Sequence, residues 1–103
     1  MRVYLSGPIT GTKGYMKHFA AVEQAIREGG NEVINPVRNC YVMPKTTTHE
    51  EYMKVCLAQL DCCDGIVMLK GWNASNGARQ EFCHAVDKHM PIYFEEGING
   101  NTK

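Results

Sequence analysis

The sequence predicts an α/β protein in which helices cover both sides of a parallel β-sheet. Short runs of strand-forming residues alternate with amphipathic stretches of helical length, and the connections between them are short. One central run is apolar without alternation, which indicates a strand buried on both faces. Together these observations are typical of successive right-handed β-α-β units.

The first half of the chain contains two predicted strands and one predicted helix. Residues 2–6 (RVYLS) are rich in strand formers and end at Gly7-Pro8, which predicts a strand followed by a sharp turn. Residues 15–28 repeat apolar side chains every three or four positions, so we expect an amphipathic helix that ends at the following glycine pair. Residues 32–35 are the second strand. Residues 36–47 have no clear period and hold two prolines, so they are predicted as loop.

The second half continues the same alternation. Thr48 and Glu51 match a capping box, which predicts a helix from there to about residue 60. Residues 64–69 (DGIVML) are the third strand, residues 78–89 the third helix and residues 91–94 the fourth strand. The expected fold is a flavodoxin-like or Rossmann-like three-layer sandwich with a four-stranded parallel sheet of order 2-1-3-4. A single domain is expected over residues 1–96, with a flexible tail over residues 97–103.

Composition narrows the classes of function. The 103 residues fit one domain, and eleven basic side chains balance eleven acidic ones, so no charge excess suggests a polymeric nucleic acid as partner. No apolar run is long enough to span a membrane. The first apolar run ends at Gly7-Pro8 and is too short for a signal peptide. The five cysteines show no CxxC spacing, which favours free thiols in a reducing cytoplasm and predicts no metal site.

Topology places a candidate site between the first and third strands. In an open parallel sheet, ligands bind beyond the carboxyl ends of the strands, where the strand order reverses. Two loops rich in glycine and small polar residues leave the sheet there, after strand 1 and after strand 3. They contain the candidate substrate-binding residues, which are Gly7, Pro8, Ile9, Thr10, Gly11, Trp72, Ser75 and Gly77. Tight turns that need glycine for positive φ would give the same pattern in the first loop.

Three side chains near these loops allow two interpretations each. Glu81 lies at the edge of the apolar stripe of its helix, where the helix dipole favours the ionised form, so it is either a nucleophile or a stabilising acid near the helix start. Tyr4 needs a partner for its hydroxyl if buried, in the core or in a catalytic site. Trp72 could stack on a flat ring or plug the end of the sheet.

Three segments resemble a known group of enzymes. VYLSGPITG, DGIVMLKGW and SNGARQEFCHAV are similar to segments of the nucleoside 2-deoxyribosyltransferase superfamily, especially its small phage and prophage members. Deoxynucleoside 5′-monophosphate N-glycosidases are more distant relatives. The resemblance covers residues 1–94. It implies a flavodoxin-like fold that cleaves or transfers the N-glycosidic bond of a (deoxy)nucleoside or nucleotide.

The resemblance also implies roles for individual residues. Glu81 matches the nucleophile, and Tyr4 matches a tyrosine beside it. The loop with Gly7, Ile9 and Gly11 matches the one around the sugar or phosphate, and Ser75 lies near a phosphate-binding serine. Cys56 stands where relatives carry an aspartate. No cofactor is implied, the expected partner is a small nucleoside or nucleotide, and a homodimer or larger homo-oligomer is expected.

Two other functions remain open from the sequence. Because a thiol cannot replace the charge of a carboxylate, the domain could be a catalytically silent module that binds or senses a nucleotide. It could also be a phage-encoded interaction protein that uses the fold as a scaffold.

Overall fold

A computed structural model describes residues 1–95 of the chain. Within these residues four parallel strands form one sheet of order β2-β1-β3-β4, as the alternation predicts. The strands are Arg2–Ser6 (β1), Glu32–Ile34 (β2), Gly65–Met68 (β3) and Ile92–Phe94 (β4). The predicted boundary at residue 96 and the predicted tail lie outside the described residues.

Helices pack on both faces of the sheet and make three layers. Helix α1 (Tyr15–Glu28) covers one face, and helices α3 (His49–Asp61) and α4 (Asn76–Asp87) cover the other. Strand β1 sends alternate side chains to the two layers. Val3 and Leu5 join the core under α1, and Tyr4 joins the core under α3 and α4. No described helix is long and apolar enough to cross a membrane.

The helix starts follow from local sequence. Thr48 and Glu51 form the predicted capping box, in which the Thr48 Oγ1 accepts from the Glu51 amide at 3.1 Å and Glu51 Oε1 accepts from the Thr48 amide at 2.8 Å. Helix α4 begins two residues before the predicted start, at Asn76, because the Ser75 hydroxyl caps it by accepting from the Ala78 amide at 3.2 Å.

The prediction of loop throughout residues 36–47 is wrong at its start. Helix α2 spans Pro36–Asn39, and Asn35 is its N-cap rather than the last residue of β2. The Asn35 side chain accepts from the Val37 amide at 3.0 Å, and Pro36 fits the first helical position. A four-residue helix has no room for a period of apolar positions, so only its cap residues signal it.

The loops after β1 and β3 lie against each other at the carboxyl edge of the sheet. The Leu69 amide donates to the Ser6 carbonyl at 2.7 Å. A Cβ built on Gly7 would lie 2.8 Å from Cβ of Leu69, closer than side chains allow. In the next part of the β3 loop, Gly71 has φ of 88° and faces the ring of Pro8. The predicted juxtaposition of the two loops is therefore present, and glycine makes it possible.

Candidate functional site

Glu81 is a buried carboxylate on the inner face of α4. Ala78, Glu81 and Ala85 follow one another at three- and four-residue steps, so all three face the sheet. Glu81 is 6% exposed, in a layer made mainly of apolar side chains. A carboxylate in such a place requires hydrogen-bond donors, because burial without them is costly.

Strand β1 provides a donor for each oxygen of that carboxylate. The Tyr4 hydroxyl donates to Oε2 of Glu81 at 2.6 Å, and the Ser6 hydroxyl donates to Oε1 at 2.5 Å. Tyr4 and Ser6 are 0% and 1% exposed. Because they are two positions apart on one strand, both side chains leave the same face of the sheet. The predicted pair Tyr4 and Glu81 is brought together, with Ser6 as a third member.

Burial dominates the acid–base properties of Glu81. Desolvation raises its pKa above the ordinary value of 4.5, while hydrogen bonds from Ser6, Tyr4 and Cys56 lower it, with a net increase. The expectation that the helix dipole sets its ionisation needs correction, because Glu81 is the sixth residue after the Ser75 cap and the dipole fades beyond the first turn. Burial likewise raises the pKa of Tyr4 well above 10.0, so its hydroxyl stays a donor.

Cys56 lies in the same cluster, on the face of α3 that packs against the sheet. Its side chain is half-buried beside Tyr4 and Glu81. Burial raises the pKa of the Cys56 thiol to about 12, and the charge of Glu81 acts in the same direction. The thiol is therefore neutral near pH 7 and adds no charge to the site.

The remaining candidate residues of the first loop lie around the carboxyl edge. Gly11 has φ of 74°, which favours glycine, and the Ile9 carbonyl accepts from the Thr12 amide at 3.1 Å in a turn. Ile9 is 39% exposed. Thr10 lies in this turn and is also exposed.

A cleft of about 50 Å³ lies beside this loop on the side of the sheet that α1 covers. It is lined by Pro8, Thr12, Lys13, Tyr15, His18, Phe19, Leu69 and Lys70. Neither Tyr4 nor Glu81 contributes to it, because their side chains belong to the opposite layer. The cleft and the carboxylate therefore share the edge of the sheet but not the same face.

The segment between β3 and α4 combines structural contacts with candidate binding residues. Trp72, in a 3-10 turn, stacks on Phe82 with ring centroids 4.7 Å apart and lies 6.2 Å from Phe94. These contacts match the interpretation of Trp72 as a plug at the sheet end. Ser75 caps α4 through its hydroxyl. Gly77 faces α3, where an added Cβ would lie 3.4 Å from Sδ of Met53 and 3.7 Å from Cε1 of His49.

Sequence reasoning missed Ser6. It could have been found, since it follows Tyr4 by two positions on a predicted strand and so shares its face. His49, at the start of α3, is exposed and lies near Gly77 of α4.

Residues able to hold a metal ion are not grouped in the part of the chain that the structure describes. No three His, Cys, Asp or Glu side chains there are arranged to bind one. All five cysteines, which fall within residues 1–95, are free thiols.

Comparison with known proteins identifies the family and a similar fold. The search of curated proteins gave no match. Among solved structures, the chain is similar to a 2-deoxyribosyltransferase from the psychrotolerant bacterium Bacillus psychrosaccharolyticus, with a TM-score of 0.73 and 19% identity over 91% of this chain and 71% of that one. At this identity the likeness shows the α/β fold. The model of the family described as "Domain of unknown function (DUF4406)" matches residues 1–94, so the chain belongs to that family.

Proposed function

We propose that this protein cleaves or transfers the N-glycosidic bond of a (deoxy)nucleoside or nucleotide, with Glu81 as nucleophile. The observation that carries the proposal is the buried Glu81 carboxylate held by Tyr4 at the carboxyl edge of the sheet. The fold shared with a 2-deoxyribosyltransferase and the resemblance of the three sequence segments support the same activity.

The reaction would take place in two steps. A Glu81 oxygen attacks the anomeric carbon of the sugar, the bond from that carbon to the base nitrogen breaks, and its electrons leave with the base. The transition state has oxocarbenium character, which an adjacent carboxylate in a water-poor site stabilises. Water or a second base then attacks the same carbon, releases the sugar from Glu81 and gives a hydrolase or a transferase.

Substrate contacts are assigned to the two loops at the sheet edge. The loop with Gly7, Pro8, Ile9, Thr10 and Gly11 would surround the sugar and any 5′-phosphate, since its glycines let the backbone approach a ligand closely. Ser75 and Gly77, at the start of α4, would contact the substrate from the side opposite the β1 loop. Trp72, which stacks on Phe82 and is half-buried, would contact the base.

The leaving base also needs a proton, and Cys56 lies where a proton donor could act, beside Glu81. With a pKa of about 12, the thiol is a poor acid at neutral pH. Without a proton donor for the base, cleavage of the N-glycosidic bond would be slow. The same observation supports a second candidate function, in which the domain binds a nucleotide without cleaving it. Calorimetry with the same ligands would separate the two functions, because the second gives binding heat without product.

Release of free base tests the proposal directly. The protein is incubated with deoxynucleosides and their monophosphates, with and without an acceptor base, and the products are separated by chromatography. We expect base release that Glu81→Ala abolishes. Glu50→Ala is the matched control, because Glu50 is an exposed acid in the first turn of α3. Base release that continues in Glu81→Ala would contradict the proposal.

We also propose that the protein acts as a homodimer or larger homo-oligomer, as the resemblance implies. Light scattering coupled to size exclusion measures the mass in solution, which should be at least twice that of the 11.6 kDa chain. A mass equal to that of one chain would contradict this proposal.

A further inference from the structure

The hydrogen bond between Ser6 and Glu81 joins two buried polar side chains. It measures 2.5 Å, between a serine that is 1% exposed and a carboxylate that is 6% exposed. Ser6 is also fixed by its backbone, because its carbonyl accepts from the Leu69 amide at 2.7 Å. A hydrogen bond from a fixed donor to a buried charge constrains both position and ionisation.

We propose that Ser6 is a positioning residue, whose hydroxyl holds one oxygen of Glu81 while Tyr4 holds the other, so that the carboxylate is kept in one orientation and ionised. The inference rests on the proposed function, since it is the attack by Glu81 that needs an ionised carboxylate. Ser6 itself need not touch the substrate.

The surroundings of Glu81 show why such a donor is needed. From β1 it faces Tyr4 and Ser6, and from α3 it faces the neutral Cys56, with His49 beside the first turn of α4. From β3 the layer receives the apolar Ile66 and Met68. Within residues 1–95, no side chain that shifts the pKa of Glu81 is a cation, so the hydrogen-bond donors alone counter the desolvation, and they do so in part. Among the groups that lower this pKa, Ser6 has the largest effect.

Titration of Glu81 in the ligand-free protein tests the inference without any substrate. Glutamate carboxyl carbons are labelled with ¹³C, the Glu81 signal is assigned from its loss in Glu81→Gln, and its chemical shift is followed against pH. Ser6→Ala removes the donor and little volume, so we expect the carboxylate to titrate at higher pH. Ser6→Thr keeps a hydroxyl and should restore the lower value.

Asn35→Ala is the matched control. Asn35 donates to a second buried carboxylate, Glu23, at 3.0 Å, and it lies outside the candidate site. We expect Asn35→Ala to leave the Glu81 titration unchanged. An unchanged titration in Ser6→Ala, or an equal shift in Ser6→Ala and Ser6→Thr, would overturn the inference, because the hydroxyl would then not be the cause.

Activity gives the second arm. Ser6→Ala should lower kcat/KM roughly 10- to 100-fold, the loss expected for a hydrogen bond to a charged group, and move the acidic limb of its pH profile to higher pH. If no nucleoside or nucleotide is processed by the unaltered protein, the proposed function fails. The titration still decides whether Ser6 sets the ionisation of Glu81, so the two failures are distinguishable.

Discussion

The Tyr4 hydroxyl donates to Oε2 of Glu81 at 2.6 Å, although 77 positions separate the two residues in the chain. The bond joins strand β1 to helix α4 across the buried layer. The Tyr4 hydroxyl and the Glu81 carboxylate are both buried, and buried polar groups require hydrogen-bond partners. Removing either group would leave the other buried without its partner and lower the stability of the fold. Buried groups with shifted pKa values are also candidates for a functional site.

Tyr4→Phe tests the contact from the strand side. The change removes the donor to Oε2 and keeps the ring that fills the core, so the fold should persist with a loss of about 2 kcal/mol near neutral pH. The pKa of Glu81 should rise further, because one of its stabilising bonds is gone. We expect kcat/KM to fall roughly 10- to 100-fold, with the acidic limb displaced to higher pH.

The matched control for this change is Tyr93→Phe. Tyr93 is 40% exposed on β4, and its hydroxyl contacts Sδ of Met1 at 3.6 Å. Chemical denaturation and the pH profile of base release should be close to those of the unaltered protein. Equal effects of the two substitutions would show that the Tyr4 hydroxyl has no special role.

Glu81→Gln should change how stability depends on pH. The folded chain raises the pKa of Glu81 above 4.5, so the folded state binds this proton more tightly than the unfolded state. Its contribution to stability is complete below the unfolded pKa and is lost as pH rises through the folded pKa. The free energy of unfolding of Glu81→Gln should therefore improve, relative to the unaltered protein, as pH increases across this window. Denaturation at several pH values measures it, and a constant difference would contradict the sign.

Glu23→Gln should show the opposite trend. Glu23 is buried between α1 and α2, and its carboxylate accepts from Arg27 at 2.8 Å, Arg38 at 2.7 Å and Asn35 at 3.0 Å. Burial alone would raise its pKa, but these bonds outweigh it and lower the pKa from 4.5. The stability it adds is present above the unfolded pKa and is lost as pH falls through the folded pKa.

The expected cost of Glu23→Gln is about 1.5–3 kcal/mol near neutral pH, the range for hydrogen bonds to a charged group. The cost should shrink as the solution becomes more acidic. Glu28→Gln, at an exposed position on the same helix, is the control. A cost for Glu23→Gln that grows toward acidic pH would show that the network does not favour the ionised form.

Much of the architecture could be predicted because the relevant signals are local. The period of apolar residues marks α1, the capping box marks α3, and the uninterrupted run marks β3, so the order of elements and the sheet follow. Helix α2 could not be found this way, since a helix of one turn shows no period. The network around Glu23 was also missed, because it joins residues whose proximity depends on the packing of α1 against α2.

The location of the candidate site could be predicted from the sequence, whereas its hydrogen bonds and the direction of the Glu81 pKa shift could not. Topology brings the loops after β1 and β3 together, and the stripe of α4 turns Glu81 inward. The hydrogen bonds of Tyr4 and Ser6 depend on how deep the carboxylate is buried, which a helical wheel does not show. Burial at that depth raises the pKa of Glu81, whereas the helix dipole considered from the sequence would lower it.

Gly7→Ala should show how closely the two loops must approach. A Cβ there would lie 2.8 Å from Cβ of Leu69, an atom near the backbone that cannot rotate away. We expect a loss of about 1–3 kcal/mol in the free energy of unfolding, as for overpacked positions, and weaker substrate binding from the displaced loop. Gly29→Ala is the control, since φ there is −82° and the nearest atom would lie at 3.4 Å. Equal stability of the two variants would contradict the prediction.

Cys56→Asp tests whether an acid at this position can donate the proton that the leaving base requires. An aspartate at this position would lie beside Glu81, and repulsion between the two carboxylates would raise at least one of their pKa values, so that the pair holds a proton near neutral pH. That proton is available to the base, whereas the Cys56 thiol, with its pKa of about 12, holds its own too tightly. We expect base release to become faster, on the order of 10²-fold for a general acid.

Two controls separate charge from packing in this experiment. Cys56→Ser keeps a small neutral group and should leave the rate near that of the unaltered protein. Cys62→Asp adds a carboxylate to the same helix at its exposed end and should not accelerate the reaction. Denaturation should also show Cys56→Asp losing stability as pH rises, because both carboxylates must then ionise side by side. A rate for Cys56→Asp no higher than that for Cys56→Ser would show that the missing carboxylate does not limit the chemistry, and the acid would have to be sought elsewhere around the base.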